Sequence, residues 1–211
     1  MPADHLSLKH KSNDKPHRKR TRRNRSYPVH TLADALEVAH TIQNANSGLG
    51  FDRVLLAQAM GTTPLSSAFT MKLISSSRYG LTIGGYNDEN IALTTLGEAI
   101  VAPKTAGYTT SAIKQAATTP PLFGDFFRKF DGRRLPQDKY VQGILRKEFS
   151  VPTDLTAECW TLIFETGRYA KILLEENDQM LVSLGSADHS PYEHSRHPVA
   201  VVSPTKKPNN M

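Results

Sequence analysis

The stretch that decides the predicted fold is YGLTIGGYNDENIALTTLGEAI, residues 79–100. Apolar residues alternate with other types on both sides of residues 84–90, which are mostly glycine, asparagine and acidic residues. Alternation with a period of two is typical of a half-buried strand, and the polar segment is typical of a turn. The stretch therefore predicts a β-hairpin whose strands contain Leu81 and Ile83, and Ile91 and Leu93.

The end of the same stretch predicts a short helix. Thr95 followed by Glu98 three residues later is the pattern of a capping box, in which both side chains bond to free backbone N–H groups. Pro103 cannot continue a helix, so we expect the helix to end near Val101.

Three amphipathic helices are predicted before the hairpin. The first is capped by Thr31 and the second by Asp52, while Thr63–Pro64 should start the third because proline suits the first helical turn. The second should stop near Gly61. Their apolar positions, in order, are Leu32, Ala35, Leu36, Ala39 and Ile42; Val54, Leu55, Leu56 and Ala59; Leu65, Ala68, Phe69 and Leu73.

This order of elements, over residues 28–105, resembles a winged helix-turn-helix domain. A helix runs into a GL strand, a turn, and an LT…G step from strand to helix; Gly80, Leu81, Leu93, Thr94 and Gly97 carry the resemblance. The whole chain is also similar to a loosely defined group of prokaryotic proteins, of unassigned function, that join such a domain to a helical second half. The resemblance implies a fold rather than an activity.

The second half is predicted to begin after a polar linker at residues 106–119, which contains one short helix at 112–117. Between 120 and 185, three apolar helical stripes precede a hairpin pattern formed by the runs 170–174 and 180–184. Because this order repeats that of the first half, we expect a degenerate second winged helix, with a plain helical domain as the alternative. The fold class is mainly α with small β wings. The stripes are Leu122, Phe123, Phe126, Phe127 and Phe130; Tyr140, Val141, Ile144, Leu145 and Phe149; Leu155, Cys159, Trp160, Ile163 and Phe164.

Positive charge is concentrated in residues 1–27. They hold nine Lys or Arg against two Asp, a charge of +7, so the rest of the chain sums to −1 within the net charge of +6. The absence of apolar periodicity predicts a disordered arm here, and the proline-containing residues 186–211 predict a disordered tail. Alternative roles for the arm are a solubilising tail or an import signal. Its candidate phosphate-binding residues are Lys15, Arg18, Lys19, Arg20, Arg22, Arg23 and Arg25.

The third helix is the candidate recognition helix. Opposite its apolar face lie Ser66, Ser67, Thr70 and Met71, with Lys72 at the border, and Arg78 at its end could add a phosphate contact. The face lacks the Arg, Asn or Gln side chains that read bases with two hydrogen bonds, so a solvated or protein-contacting face is the alternative. The acidic turn at 84–90 would be repelled by phosphate.

The second half carries seven further basic residues between 128 and 147. They could form a positive surface, or they could pair with Asp125, Asp131, Asp138 and Glu148. The seven are Arg128, Lys129, Arg133, Arg134, Lys139, Arg146 and Lys147.

Several classes of protein are not expected. Cys159 is the single cysteine, so no intramolecular disulfide can form, and no apolar run approaches the roughly 20 residues that cross a bilayer. A phosphate-binding glycine loop and a nucleophile elbow are missing, and we expect no metal at His189, His194 and His197. These observations predict a cytoplasmic protein that is not an enzyme and uses no cofactor.

The basic arm joined to a winged-helix pattern predicts a nucleic-acid-associated protein, regulator-like and binding duplex DNA. The alternative is a protein-interaction adaptor that uses the winged helix as a scaffold, which the acidic composition of residues 28–105 favours. Winged helices often form homodimers, but no heptad repeat supports a dimer here.

Overall fold

The computed structural model describes residues 25–105 and 107–185, here called the first and second parts. Both parts are mainly helical, with small antiparallel sheets. The first part contains α1 Leu32–Asn46, β1 Phe51–Asp52, α2 Arg53–Ala59, α3 Ser67–Arg78, β2 Thr82–Ile83, β3 Asn90–Leu93 and α4 Thr95–Val101. The second part contains α5 Tyr108–Thr118, α6 Pro121–Phe130, α7 Asp138–Glu148, α8 Thr156–Tyr169, β4 Leu173–Glu176 and β5 Gln179–Val182.

The predicted caps of the first two helices are confirmed. Thr31 and Asp34 form a capping box at the start of α1, and Asp52 accepts hydrogen bonds from the N–H groups of Val54 and Leu55. These bonds satisfy backbone donors that have no partner inside the helix, which fixes where each helix begins.

A three-stranded sheet with the order β1-β3-β2 lies beside these helices. The predicted hairpin forms two of its strands, β2 and β3, with Thr82 opposite Leu93. The third strand, β1, was not predicted; its two residues pair with the far side of β3, where Phe51 lies opposite Ile91. The connection between α1 and α2 is therefore bonded to the hairpin rather than being a free loop.

The second part repeats much of this order. Three helices, α6 to α8, precede the β4–β5 hairpin, and the segment between α6 and α7 pairs with the outer side of β5 through a bridge from Arg134 to Leu181. Leu135 adds a backbone hydrogen bond of 2.7 Å to the Met180 carbonyl. This segment thus occupies the same place in the order of elements as β1 does in the first part.

The turn of the second hairpin is shorter than the sequence predicts. It consists of Asn177 and Asp178 alone, both with positive φ, instead of residues 175–179. Asparagine and aspartate tolerate this left-handed conformation, and two such residues give a turn whose twist matches that of the strands.

One buried cluster extends across both parts. It joins Tyr27 and Leu36 of the first part to Phe123, Trp160 and Ile163 of the second. Helix α5, longer than the short helix expected in the 106–119 linker, packs its alanines Ala112, Ala116 and Ala117 into the same cluster. The segment predicted as a linker therefore contributes to the core through α5.

A smaller cluster contains Val38, Ile42, Leu56, Phe69, Leu73 and Ile91, so α1 is buried on two sides.

Two predicted helix starts are wrong. Helix α3 begins at Ser67, because residues 63–66 form a turn closed by a bond of 3.0 Å from the Ser66 N–H to the Thr63 carbonyl. Leu65, expected in the buried stripe, is instead 78% exposed. The cap of α4 is Thr94 rather than Thr95, since the Thr94 hydroxyl oxygen accepts a bond of 2.9 Å from the Gly97 N–H.

The end of the predicted arm also differs. Tyr27 is only 2% exposed and its ring stacks on Phe123, with the ring centroids 6.3 Å apart. An aromatic ring buried in this way gives up a large apolar area to the core. Residues 25–27 therefore belong to the folded part, while 1–24 and 186–211 lie outside the described residues.

Candidate interaction surface

The solvent face of α3 is small and uncharged. Ser67 and Ala68 are exposed, while Ser66 and Thr70 are partly buried. The Thr70 hydroxyl donates to the Ser66 carbonyl at 3.1 Å, which removes one of the few hydrogen-bond donors from this face. Of the side chains predicted to contact nucleic acid, Ser66, Ser67 and Thr70 do lie together, but they bring no positive charge.

Lys72 lies on another side of α3, facing α1. Its Nζ forms an ion pair of 2.5 Å with Glu37 Oε2. Both residues line an open groove of about 650 Å³ whose other walls include His30, Asp34 and His40. The ammonium group is thus matched by a carboxylate within the fold.

His30 lies in the same groove, where its Nδ1 is 3.0 Å from the Ser75 hydroxyl. Burial and then the nearby Lys72 ammonium lower the pKa of His30 from its ordinary value, so the ring is neutral at pH 7. Among the described residues, no group of three or more His, Cys, Asp and Glu side chains is placed to hold a metal ion.

Two of the arginines predicted to contact phosphate, Arg78 and Arg25, bind other groups within the protein. Arg78 donates from Nη1 to the Tyr27 carbonyl. Arg25 forms an ion pair of 2.8 Å with Glu158 on α8. The remaining predicted phosphate contacts, Lys15, Arg18, Lys19, Arg20, Arg22 and Arg23, lie outside the described residues.

Arg53, at the start of α2, has a role that was not predicted. Its Nη1 donates to the Pro64 carbonyl at 3.0 Å, its guanidinium carbon lies 5.3 Å from the centre of the Tyr86 ring, and its backbone N–H bonds to the Glu89 carbonyl. A guanidinium over an aromatic face is attracted by the ring quadrupole. Arg53 therefore connects α2, the turn before α3 and the turn between β2 and β3.

Four exposed apolar side chains belong to the helix of Arg53 and to the two turns that Arg53 contacts. Val54 and Leu55 follow it on α2, Leu65 follows the Pro64 carbonyl that it binds, and the Tyr86 ring lies against it. We call Arg53, Val54, Leu55, Leu65 and Tyr86 the Arg53 surface. A contiguous patch of exposed apolar side chains commonly marks an interaction site, whereas a single exposed apolar residue does not.

A signal for this surface exists in the sequence. Val54, Leu55 and Leu56 are consecutive, and successive side chains on a helix point about 100° apart, so the three cannot all face one core. Leu56 is fully buried, whereas Leu55 is 51% exposed. The position of Leu65 had no comparable signal, because it depends on where α3 begins.

The rim of the Arg53 surface is acidic. Asp52 directly precedes Arg53, and Asp88 and Glu89 lie in the turn that holds Tyr86. Asp88 accepts a bond of 2.7 Å from the Gly85 N–H, which shapes the turn. The surface therefore combines apolar side chains with negative charge at its edge.

Part of the positive charge of the second part is paired. Arg128 lies 2.6 Å from Asp125, and Lys129 lies 2.5 Å from Glu148. Arg133, Lys139, Arg146 and Lys147 are exposed. The alternative in which these charges pair thus holds for two of the seven basic residues.

Cys159 is buried beside Tyr27 in the large cluster. Burial, and then the charge of Glu158, raise the pKa of its thiol to about 12, so the group stays protonated at neutral pH. A nucleophilic cysteine needs the opposite shift, toward the thiolate.

None of the described helices has the length and apolar character needed to cross a membrane. Comparison with known proteins found no family model, no curated protein and no solved structure that matches the chain.

Proposed function

We propose that the folded body is a protein-interaction adaptor built on a winged-helix scaffold. The sheet order β1-β3-β2, with β1 placed between α1 and α2 and the hairpin following α3, supports this assignment of the scaffold. The repeated order of elements in the second part, including the bridge of Arg134 to Leu181, supports a second and degenerate winged helix.

One observation carries the adaptor proposal: the face of α3 that would read DNA is uncharged, while the nearby cations are engaged within the fold. Lys72 pairs with Glu37, and Arg78 binds the Tyr27 carbonyl. A cation that already binds a carboxylate or a carbonyl within the protein binds phosphate more weakly, because the internal partner has to be displaced. Such a face contributes little to nucleic-acid affinity.

The Arg53 surface is the docking site in this proposal. Apolar side chains at its centre and carboxylates at its rim fit a partner segment that presents apolar anchors flanked by Lys or Arg. The centre would supply most of the affinity and the rim would favour the correct orientation.

A second function is favoured by the N-terminal sequence. Lys15, Arg18, Lys19, Arg20, Arg22 and Arg23 lie within nine residues of one another and immediately precede the folded body. We propose that this arm, defined by these six residues, binds nucleic acid through phosphate contacts. The protein would then link a nucleic acid to a protein partner.

Duplex binding by fluorescence anisotropy across a salt series separates the two roles. We expect the full chain to bind a 20-base-pair duplex with a logarithmic salt slope of roughly −5 if all six arm residues contact phosphate. A chain that starts at Arg25, and so keeps the buried Tyr27, should lose this binding. Retained binding with a steep salt slope would show that the body itself holds nucleic acid, and would count against the adaptor.

The docking site is tested with Leu55→Asp combined with Leu65→Asp. Leu174→Asp on β4 is the matched control, because Leu174 is also a partly exposed leucine outside the Arg53 surface. A protein retained from cell extract by the wild type and the control, but not by the double variant, would be purified and its affinity measured directly. If no purified protein distinguishes the double variant from the control, the Arg53 surface is not a docking site.

A further inference from the structure

The segment that leads from the arm into α1 runs in the same direction as α8. The Leu32 N–H donates to the Thr166 hydroxyl at 3.3 Å, Tyr27 lies beside Cys159, and Arg25 pairs with Glu158. Falling numbers in this segment thus match falling numbers on α8. Arg25, the first described residue, therefore lies on the side where α8 begins.

Two contacts anchor this segment near Arg25. The Tyr27 ring is buried against Phe123, and the backbone carbonyl of Tyr27 accepts a hydrogen bond from Arg78. Because Tyr27 cannot move without opening the core, the positions that Arg25 can take, two residues earlier, are restricted. Less entropy is then lost when Arg25 pairs with Glu158 than in a pair of two free surface side chains.

The pair is partly shielded from solvent. The Arg25 side chain is 24% exposed and that of Glu158 is 42% exposed. The Arg25 Nε is buried and has no hydrogen-bond partner among the described residues, so only part of its guanidinium is satisfied by Glu158. Each phosphodiester group of a nucleic acid has two non-bridging oxygens that can accept from a guanidinium, so Arg can bind it with two parallel bonds.

Arg22 and Arg23 are close to this pair along the chain. Three residues span at most roughly 10 Å, so Arg22 cannot be further than that from Arg25, measured between Cα atoms. A polyanion bound by the arm therefore brings phosphate groups within reach of Arg25. Glu158 and phosphate then compete for the same guanidinium.

We propose that Glu158 is an internal competitor of phosphate for the base of the arm, so that the Arg25–Glu158 pair weakens polyanion binding until phosphate replaces the carboxylate. The proposal rests on the arm's binding of nucleic acid. In this proposal Glu158 on α8 binds Arg25, the residue at the base of the arm, whenever phosphate does not.

The experiment compares Glu158→Gln with Glu165→Gln in the full chain. Both residues are exposed acids on α8, and both changes remove one negative charge. With the same 20-base-pair duplex, we expect Glu158→Gln to bind about threefold more tightly, a size typical of a surface ion pair. Glu165→Gln should have a clearly smaller effect, because no arm contact is lost.

The same two changes in an Arg25→Ala background complete the design. Without Arg25, the two glutamine variants should bind equally. Equal affinities in the wild-type background, or an effect of Glu158→Gln that persists without Arg25, would overturn the competition while leaving the arm's function intact. Absence of duplex binding by the unmodified chain would overturn both.

Discussion

The phenol oxygen of Tyr79 lies 3.0 Å from the hydroxyl oxygen of Thr166. Tyr79 follows α3 in the first part and Thr166 belongs to α8 in the second, so this hydrogen bond crosses between the two parts. The Tyr79 hydroxyl is also 3.0 Å from the His30 carbonyl, and Thr166 accepts from the Leu32 N–H. A buried polar chain therefore runs alongside the shared apolar core.

We expect Tyr79→Phe and Thr166→Val each to lower the free energy of unfolding by about 1–2 kcal/mol, because each leaves a buried polar partner unsatisfied. The double variant should lose less than the sum of the two, since both changes remove the same bond. Urea denaturation measures the free energy of unfolding of all three variants.

Because one buried cluster spans both parts, the protein should unfold in a single transition. Two separate transitions would contradict a shared core.

Gly97 should not tolerate a side chain. A Cβ atom at this position would lie 2.1 Å from the Leu81 carbonyl oxygen, which is backbone and cannot easily move. Gly97→Ala is expected to destabilise the protein by about 3 kcal/mol or more. Gly143→Ala in α7 is the control: a Cβ there meets nothing within 4 Å, and alanine should stabilise the helix by about 0.5–1 kcal/mol. Thermal denaturation of the pair tests the close approach of α4 to β2.

The start of α3 can be tested by its apolar residues. Leu65→Asp should change the free energy of unfolding by less than about 0.5 kcal/mol, because the side chain is exposed. Phe69→Ala should lower it by about 3–4 kcal/mol, since this ring is buried in the smaller cluster. A large decrease in the free energy of unfolding for Leu65→Asp would indicate instead that α3 begins at Thr63–Pro64.

Stability should fall at alkaline pH because burial raises the pKa of Tyr79 and of the neighbouring pair Tyr27 and Cys159. Burial raises the pKa of Tyr27 from 10.0 to about 12 and that of Cys159 from 9.0 to about 12. Both groups are easier to ionise in the unfolded chain, so their contribution is complete below about pH 9 and is lost as the pH rises toward 12. The urea concentration at the midpoint of unfolding should decrease from pH 8 to 9 to 10, and Tyr27→Phe should make the decrease above pH 9 smaller.

The burial of Cys159 can be tested separately: a thiol reagent should label it at pH 8 only after urea is added.

Most of the local structure can be predicted from side-chain patterns along the chain. The caps of α1 and α2, the two hairpins and most of the apolar stripes of α6, α7 and α8 follow from side-chain patterns that act over a few residues. Tyr140 is the exception in α7, since this ring was expected in the buried stripe and is 58% exposed. The acidic rim around Tyr86 and the concentration of charge in the arm are likewise properties of the sequence.

Tertiary structure decided what those elements meet. β1 is only Phe51–Asp52, and it became a strand because β3, 39 residues further along, offers free hydrogen-bonding groups on that side. Helix α3 begins at Ser67, after a turn whose Pro64 carbonyl accepts a hydrogen bond from the Arg53 guanidinium, which also lies over the Tyr86 ring. The predicted phosphate contacts Arg25, Lys72 and Arg78 found partners 133, 35 and 51 residues away. Local patterns carry no information about such distant pairs, whose energies depend on chain segments brought together by a shared core.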